Sequence, residues 1–136
     1  MIFTTKTKVI LDTNFILIPG TRGVDILSEI ERIMSEPYEI CVLDKSIEEL
    51  EKIVQKSGKK KEGFSAKLGL ILLKQKNLKT LTSSSEEYAD KAILAFAAKN
   101  PEKTIVATQD KGLKDKLKDI SVRVIQLRQE KYLVLG

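Results

Sequence analysis

Val9-Ile10-Leu11-Asp12-Thr13-Asn14 decides how this chain folds. A short apolar, β-branched run from Val9 to Leu11 reads as a buried strand. It ends abruptly in a carboxylate followed by two small polar residues. In open α/β sheets, ligands bind in the crevice outside the carboxyl ends of the strands. Asp12 is therefore delivered to the edge where such a sheet places its chemistry.

Outward from that strand, apolar segments of strand and helix type alternate. Phe15 to Arg22 holds Pro19 and Gly20 and reads as a loop. Val24, Leu27, Ile30, Ile33 and Met34 recur at helical spacing, and Pro37 stops that helix. Tyr38 to Leu43 reads as a second buried strand. Asp44 to Lys56 follows as a helix with Ile47, Leu50, Ile53 and Val54 inward. A further helix, Phe64 to Gln75, is built on Leu68, Ile71 and Leu72. Leu78 to Leu81 is a short strand, Thr82 to Ser85 a polar loop, and Glu86 to Lys99 a strongly apolar helix ended by Asn100-Pro101. Thr104 to Thr108 is a strand, Asp110 to Leu117 a short helix and Val122 to Leu127 a last strand, with Tyr132 to Leu135 as an edge strand or a packed tail. Strands separated by helices imply a mostly parallel, roughly five-stranded twisted sheet with helices on both faces. The expected fold is a single three-layer α/β/α domain over residues 1–136.

Composition narrows the chemistry. Hydrophobic content of 42% beside 32% charged residues is the balance of a globular chain with a real core. No apolar run approaches the length of a bilayer span. Met1 to Lys8 leads directly into the first strand, which does not read as a signal peptide. The single Cys41, inside an apolar run, has no internal partner and suits a reducing cytoplasm. There is no histidine, which excludes His-based acid–base catalysis and every Ser-His or Cys-His arrangement. One Cys and no His also exclude an ordinary structural zinc site. Any metal must be held by oxygens, which selects hard ions such as Mg2+ or Mn2+.

Basic residues concentrate between positions 56 and 79, where eight lysines face one glutamate, a net charge of +7 against −2 for the rest of the chain. This is either a flank that attracts phosphates or a solvated loop and outer helix face. Lys56, Lys59, Lys60, Lys61 and Lys67 are its candidate contacts to a nucleic-acid backbone. Gly58 and Gly63 have the spacing that opens a P-loop, but Phe64 stands where its lysine belongs and the segment follows a helix, so nucleotide binding there is rejected.

Four acids are candidates for the chemistry: Asp12, Glu49, Asp90 and Asp110. Each has a plainer alternative. Asp12 suits an Asx-turn onto Asn14. Glu49 closes Ser46-Ile47-Glu48-Glu49, a capping-box pattern. Asp110 suits an N-cap. Asp90 shares a helix face with Ile93, Leu94 and Ala97, where an ionised carboxylate is costly without a cation, and no Lys or Arg stands along that face to pair with it. Gathered at one sheet edge, four carboxylates repel unless a divalent ion neutralises them. Two such ions about 3.5–4 Å apart activate water and stabilise in-line displacement at phosphorus. Thr13, Asn14 and Thr108 are placed to orient the acids or touch substrate oxygens.

Four segments in order carry a family resemblance. Val9-Ile10-Leu11-Asp12-Thr13-Asn14, Ile47-Glu48-Glu49-Leu50-Glu51-Lys52-Ile53, Tyr88-Ala89-Asp90-Lys91-Ala92-Ile93 and Val106-Ala107-Thr108-Gln109-Asp110-Lys111-Gly112-Leu113 resemble the successive motifs of the PIN-domain nucleases. The wording around Glu49 and Asp110 resembles the branch linked to ribosomal RNA precursor processing more than the toxin branch, whose members are silenced by a partner protein. Many relatives carry another acid beside the third-motif aspartate. Lys91 stands there in this chain, so no extra ligand is expected.

The resemblance implies a Mg2+- or Mn2+-dependent endoribonuclease holding one or two ions with Asp12, Glu49, Asp90 and Asp110. It also implies an RNA substrate guided by the lysine flank, a protein partner for specificity or inhibition, and a homodimer as an open option. A silent RNA-binding scaffold of the same fold, or a toxin ribonuclease of a toxin–antitoxin pair, is the alternative. A haloacid-dehalogenase-type phosphatase needs a second aspartate where Asn14 stands. A phospho-receiver needs one where the chain reads Leu81-Thr82-Ser83.

Overall fold

The computed structural model describes residues 6–57, 59–83 and 88–136. Among these the elements run β1 (Thr7–Leu11), α1 (Thr13–Ile16), α2 (Ile18–Arg22), α3 (Ile26–Ile33), β2 (Tyr38–Leu43), α4 (Asp44–Ser57), α5 (Lys61–Gln75), β3 (Lys79–Leu81), α6 (Ala89–Lys99), β4 (Thr104–Ala107), α7 (Lys111–Asp119), β5 (Arg123–Arg128) and β6 (Tyr132–Leu135). The expected α6 start at Glu86, the end of the Thr82–Ser85 loop and Gly58 lie outside the described residues.

The sheet has six strands in the order β3-β2-β1-β4-β5-β6. The first five are parallel and β6 joins β5 antiparallel, so Tyr132–Leu135 is an edge strand and the sheet is one strand wider than expected. Alternation along β1 explains the two outer layers. Val9 and Leu11 face a core shared with Phe15, Ile26, Ile30 and Leu50, under α1 to α5. Ile10 faces the other core, with Ile93, Leu113 and Leu117 from α6 and α7. Strands buried on both faces need continuous apolar runs, as β1 and β4 have. Cys41 is buried in the second core, and burial pushes its thiol up to about 11, which makes it inert. No helix of the described residues is long and apolar enough to cross a membrane.

Two expectations are corrected here. Phe15–Arg22 is not a loop. It forms the end of α1 and all of α2, with Pro19 in the first turn of α2 and Gly23 closing that helix at φ 67°. In α5, Leu68 and Ile71 are exposed and Leu72 is only half-buried, while Gly63, Ala66, Gly69 and Leu73 turn inward. The close approach of α2 selects that small-residue face.

A polar tie joins the strand starts. Glu36 accepts a 2.5 Å hydrogen bond from the Thr7 hydroxyl and two from Arg123, at 2.7 and 3.1 Å. The Arg123 guanidinium, then the Thr7 hydroxyl, hold its carboxyl down at about 2 from an ordinary 4.5. Because the folded pKa is depressed, the stabilisation is complete above about pH 4.5 and is lost as pH falls through about 2. Side-chain exposures of 29% and 39% screen the pair and limit it to about 1 kcal/mol. Glu36→Gln is expected to melt a few degrees below wild type at neutral pH, with the gap closing toward pH 2 in circular-dichroism melts.

Candidate active site

The strand order reverses direction of growth between β1 and β4, and this is the switch point at which open α/β sheets bind ligands. Asp12 leaves the carboxyl end of β1 there. Its backbone N–H still donates to Ala107 of β4 at 2.9 Å. Its side chain is only 6% exposed. One carboxylate oxygen accepts from the Thr13 N–H at 2.8 Å, and the other from the Thr108 hydroxyl at 2.7 Å. Burial pushes the Asp12 carboxyl above its ordinary range. The bonds from Thr108 and Thr13 oppose that, while repulsion from Glu49 and Asp110 adds to it. Asp12 thus feels two of its expected companions.

Asp12, Glu49, Asp90 and Asp110 line one open cleft of about 330 Å³, together with Thr13 and Asn14. Among the described residues no lysine or arginine lines it. Glu49 is half-buried and accepts a 2.5 Å bond from the Thr13 hydroxyl, thirty-six residues away. Helix α4 begins at Asp44, not Ser46, so the capping-box alternative for Glu49 fails: Ser46 sits buried inside the helix, its hydroxyl without a hydrogen-bond partner among the described residues. The Asx-turn onto Asn14 is also absent, since Asp12 accepts from Thr13 instead. Asp110 does cap α7, accepting from the Leu113 N–H at 2.9 Å, and does so at the cleft wall.

The expectation for Asp90 needs correction. The residue is exposed, not buried on an apolar face. Helix α6 starts at Ala89, which puts Asp90 in the first turn, beside the buried stripe of Ala89, Ala92, Ile93 and Ala97 rather than within it. Asp90 has no ion-pair partner among the described residues; one of its oxygens accepts from the Lys91 N–H at 2.9 Å. The four acids share the cleft without closing into a cluster. Among the described residues no three acidic, cysteine or histidine side chains are grouped as a ready-made metal cage. Glu49, Asp90 and Asp110 each hold a separate hydrogen bond, from the Thr13 hydroxyl, the Lys91 N–H and the Leu113 N–H. The donor set still fits a hard divalent cation: four carboxylates, one of them buried, with no cationic side chain in the lining.

Gln109, which sequence reasoning passed over, braces the site. Its side-chain oxygen accepts from the Leu127 N–H at 2.8 Å, and its own N–H donates to Asn14 at 3.2 Å. The Thr108 hydroxyl accepts from the Asp110 N–H at 3.1 Å while donating to Asp12, so one threonine sets two acids. The only available signal for Gln109 was its position between Thr108 and Asp110. Lys56, Lys59, Lys60, Lys61 and Lys67 are all exposed, near the end of α4 and along the first half of α5, and none lines the cleft.

Fold and cleft together define a doubly wound α/β domain with an acidic site at its switch point. The chain belongs to the PIN-like domain family, whose model, described as a PIN like domain, matches residues 9–130. It is 38% identical over 126 residues to ribonuclease VapC4 of Methanocaldococcus jannaschii, covering 92% of this chain and 93% of that protein. The PIN domain endonuclease Utp24 has the same fold, with a TM-score of 0.78 at 23% identity over 95% of this chain and 90% of the other. A domain of a functionally unknown protein from Methanocaldococcus jannaschii is more distant, with a TM-score of 0.57 at 18% identity, covering 90% and 91% of the two chains.

Proposed function

We propose that this chain is a divalent-metal-dependent endoribonuclease that hydrolyses RNA phosphodiester bonds. The observation that carries the reading is the cleft: four acids from four separate elements, at the switch point, with no cationic residue among them. The 38% identity to a ribonuclease supports RNA as the substrate. The motif wording around Glu49 and Asp110 supports ribosomal RNA precursor processing as its setting.

Asp12, Glu49, Asp90 and Asp110 would hold one or two Mg2+ or Mn2+ ions. When bound, these supply activated water and neutralise charge on the phosphate being displaced. The protein's own part is orientation. Thr108 fixes one oxygen of Asp12 and the Thr13 N–H the other, and both bonds favour the charged form against the burial that raises its pKa. The Thr13 hydroxyl turns Glu49 toward the same cleft. Asn14, tied to the loop before Asp110, fixes the distance between the two strand ends. The lysines of the 56–79 flank attract the RNA polyanion without regard to sequence, leaving base choice to RNA shape or to a partner.

The test is cleavage of end-labelled RNA with Mn2+, then with excess chelator. Cleavage is expected to stop with chelator and to fall on the order of 10²-fold or more in Asp90→Asn, as for loss of one group that stabilises developing charge. Cleavage that survives both overturns the reading. RNA binding without cleavage under any divalent metal replaces it with a silent scaffold.

A further inference from the structure

We propose a nucleotide subsite beside the acidic cleft, on the face shared by α6 and α7. There Tyr88 stacks a base of single-stranded RNA, and Lys91 and Lys116 hold the adjoining phosphate. The inference rests on the ribonuclease reading and gives its substrate a path. A second cavity of about 90 Å³ opens between α6 and α7 and shares Asp90 and Asp110 with the cleft. The cleft has no cationic residue in its lining, whereas this smaller cavity has two, Lys91 from α6 and Lys116 from α7. An RNA strand with one phosphate among carboxylates is repelled there unless neighbouring phosphates meet fixed positive charge. These two lysines are the cations that the structure puts next to the acids.

Tyr88 completes the subsite. It stands at the N-cap position of α6, with no side-chain capping bond, two residues before Asp90 and three before Lys91. At 79% exposure it is more open than any other large hydrophobic side chain among the described residues. A ring so exposed contributes little to the core, and base–aromatic stacking tolerates any sequence because every base has a π-face. The rival path runs over the exposed Phe64, between Lys61 and Lys67 on α5. Tyr88 itself lines neither cavity that the acids share, but Ala89 and Asp90, the next two residues of its helix, do, whereas α5 lends no residue to either lining.

Fluorescence anisotropy of the 136-residue chain, in an Asp12→Asn background with Mg2+, on a short labelled single-stranded RNA separates the two paths. Tyr88→Ala is expected to weaken binding roughly fivefold or more, and Tyr88→Phe to retain it. Lys91→Ala and Lys116→Ala are each expected to lower the slope of log affinity against log salt by about 0.7, the value for one phosphate contact to a single strand. All three residues are exposed, so these variants fold. If affinity and slope stay unmoved in all three while Phe64→Ala or Lys61→Ala reduces them, the subsite is overturned and the RNA crosses α5. Wild-type cleavage that persists alongside that result leaves the ribonuclease reading standing. A wild-type chain that neither binds nor cleaves RNA with metal overturns both.

Discussion

Asp12→Asn is expected to abolish RNA cleavage while leaving the chain as stable as wild type or more so. The catalytic loss follows from removing the most buried carboxylate of the cleft, and several kcal/mol of metal-assisted stabilisation corresponds to a fall on the order of 10³-fold. The stability effect has the opposite sign. Burial, with repulsion from Glu49 and Asp110, raises the Asp12 pKa above 3.8. The folded state therefore binds this proton more tightly than the unfolded state. Stability falls as pH rises from about 3.8 through the folded pKa. Asparagine has no charge to desolvate, keeps an oxygen for the Thr13 N–H, and offers an N–H to the Thr108 hydroxyl. Thermal melts against pH should show wild type losing ground above pH 4 and the variant not. Added Mn2+ should reverse the difference. At a hundredfold excess over its Kd the ion stabilises wild type by about 2.7 kcal/mol, roughly 10 °C for a chain of this size, and the variant hardly at all. A variant that melts well below wild type at neutral pH, with no Mn2+ response in either, would make Asp12 a structural residue.

That opposition between function and stability explains which parts of the fold were legible in the sequence. β1, β2 and β4 were readable because strands buried on both faces must be continuously apolar, and few other structures need that. The acids were readable as residue types at strand ends. Their surroundings were not. Glu49 is oriented by a threonine thirty-six residues away, and Asn14 is tied to Gln109 across ninety-five, contacts that no local pattern encodes. Asp90 was misplaced because helical periodicity assigns a face but not where the helix begins. With α6 starting at Ala89, Asp90 falls in the first turn and escapes the core. In α5, hydropathy favoured Leu68 and Ile71 as the inward face, yet interhelical distance decided otherwise. A helix pressed against another backbone turns its smallest side chains inward and leaves leucine and isoleucine outside.

That close approach gives the second large effect, at a position with no part in the chemistry. Gly20, in α2, lies over Ser65 of α5 so tightly that an added Cβ would stand 2.6 Å from the Ser65 Cα and 2.6 Å from its Oγ. One of those atoms is backbone and cannot rotate away, so Gly20→Ala must push α2 off α5. A Cβ on Gly69 would come within 2.6 Å of the side chain of Ile16, the last residue of α1, and 3.1 Å of its carbonyl oxygen, so α5 has no slack against α1 either. Overpacking of this kind costs about 2 kcal/mol or more, roughly 5–10 °C in melting temperature here. The damage should also reach the cleft. α2 follows α1 after a single residue, and α1 carries Thr13 and Asn14, with Asp12 as its cap. Gly20→Ala is therefore expected to lower the cleavage rate at temperatures where the variant is still fully folded, by at least tenfold. The same substitution at Gly23, where nothing lies within 4 Å but φ is 67°, should cost about 1 kcal/mol of strain and leave the rate unchanged. Equal rates for the two variants would mean that α2 does not set the position of the Asp12–Asn14 turn.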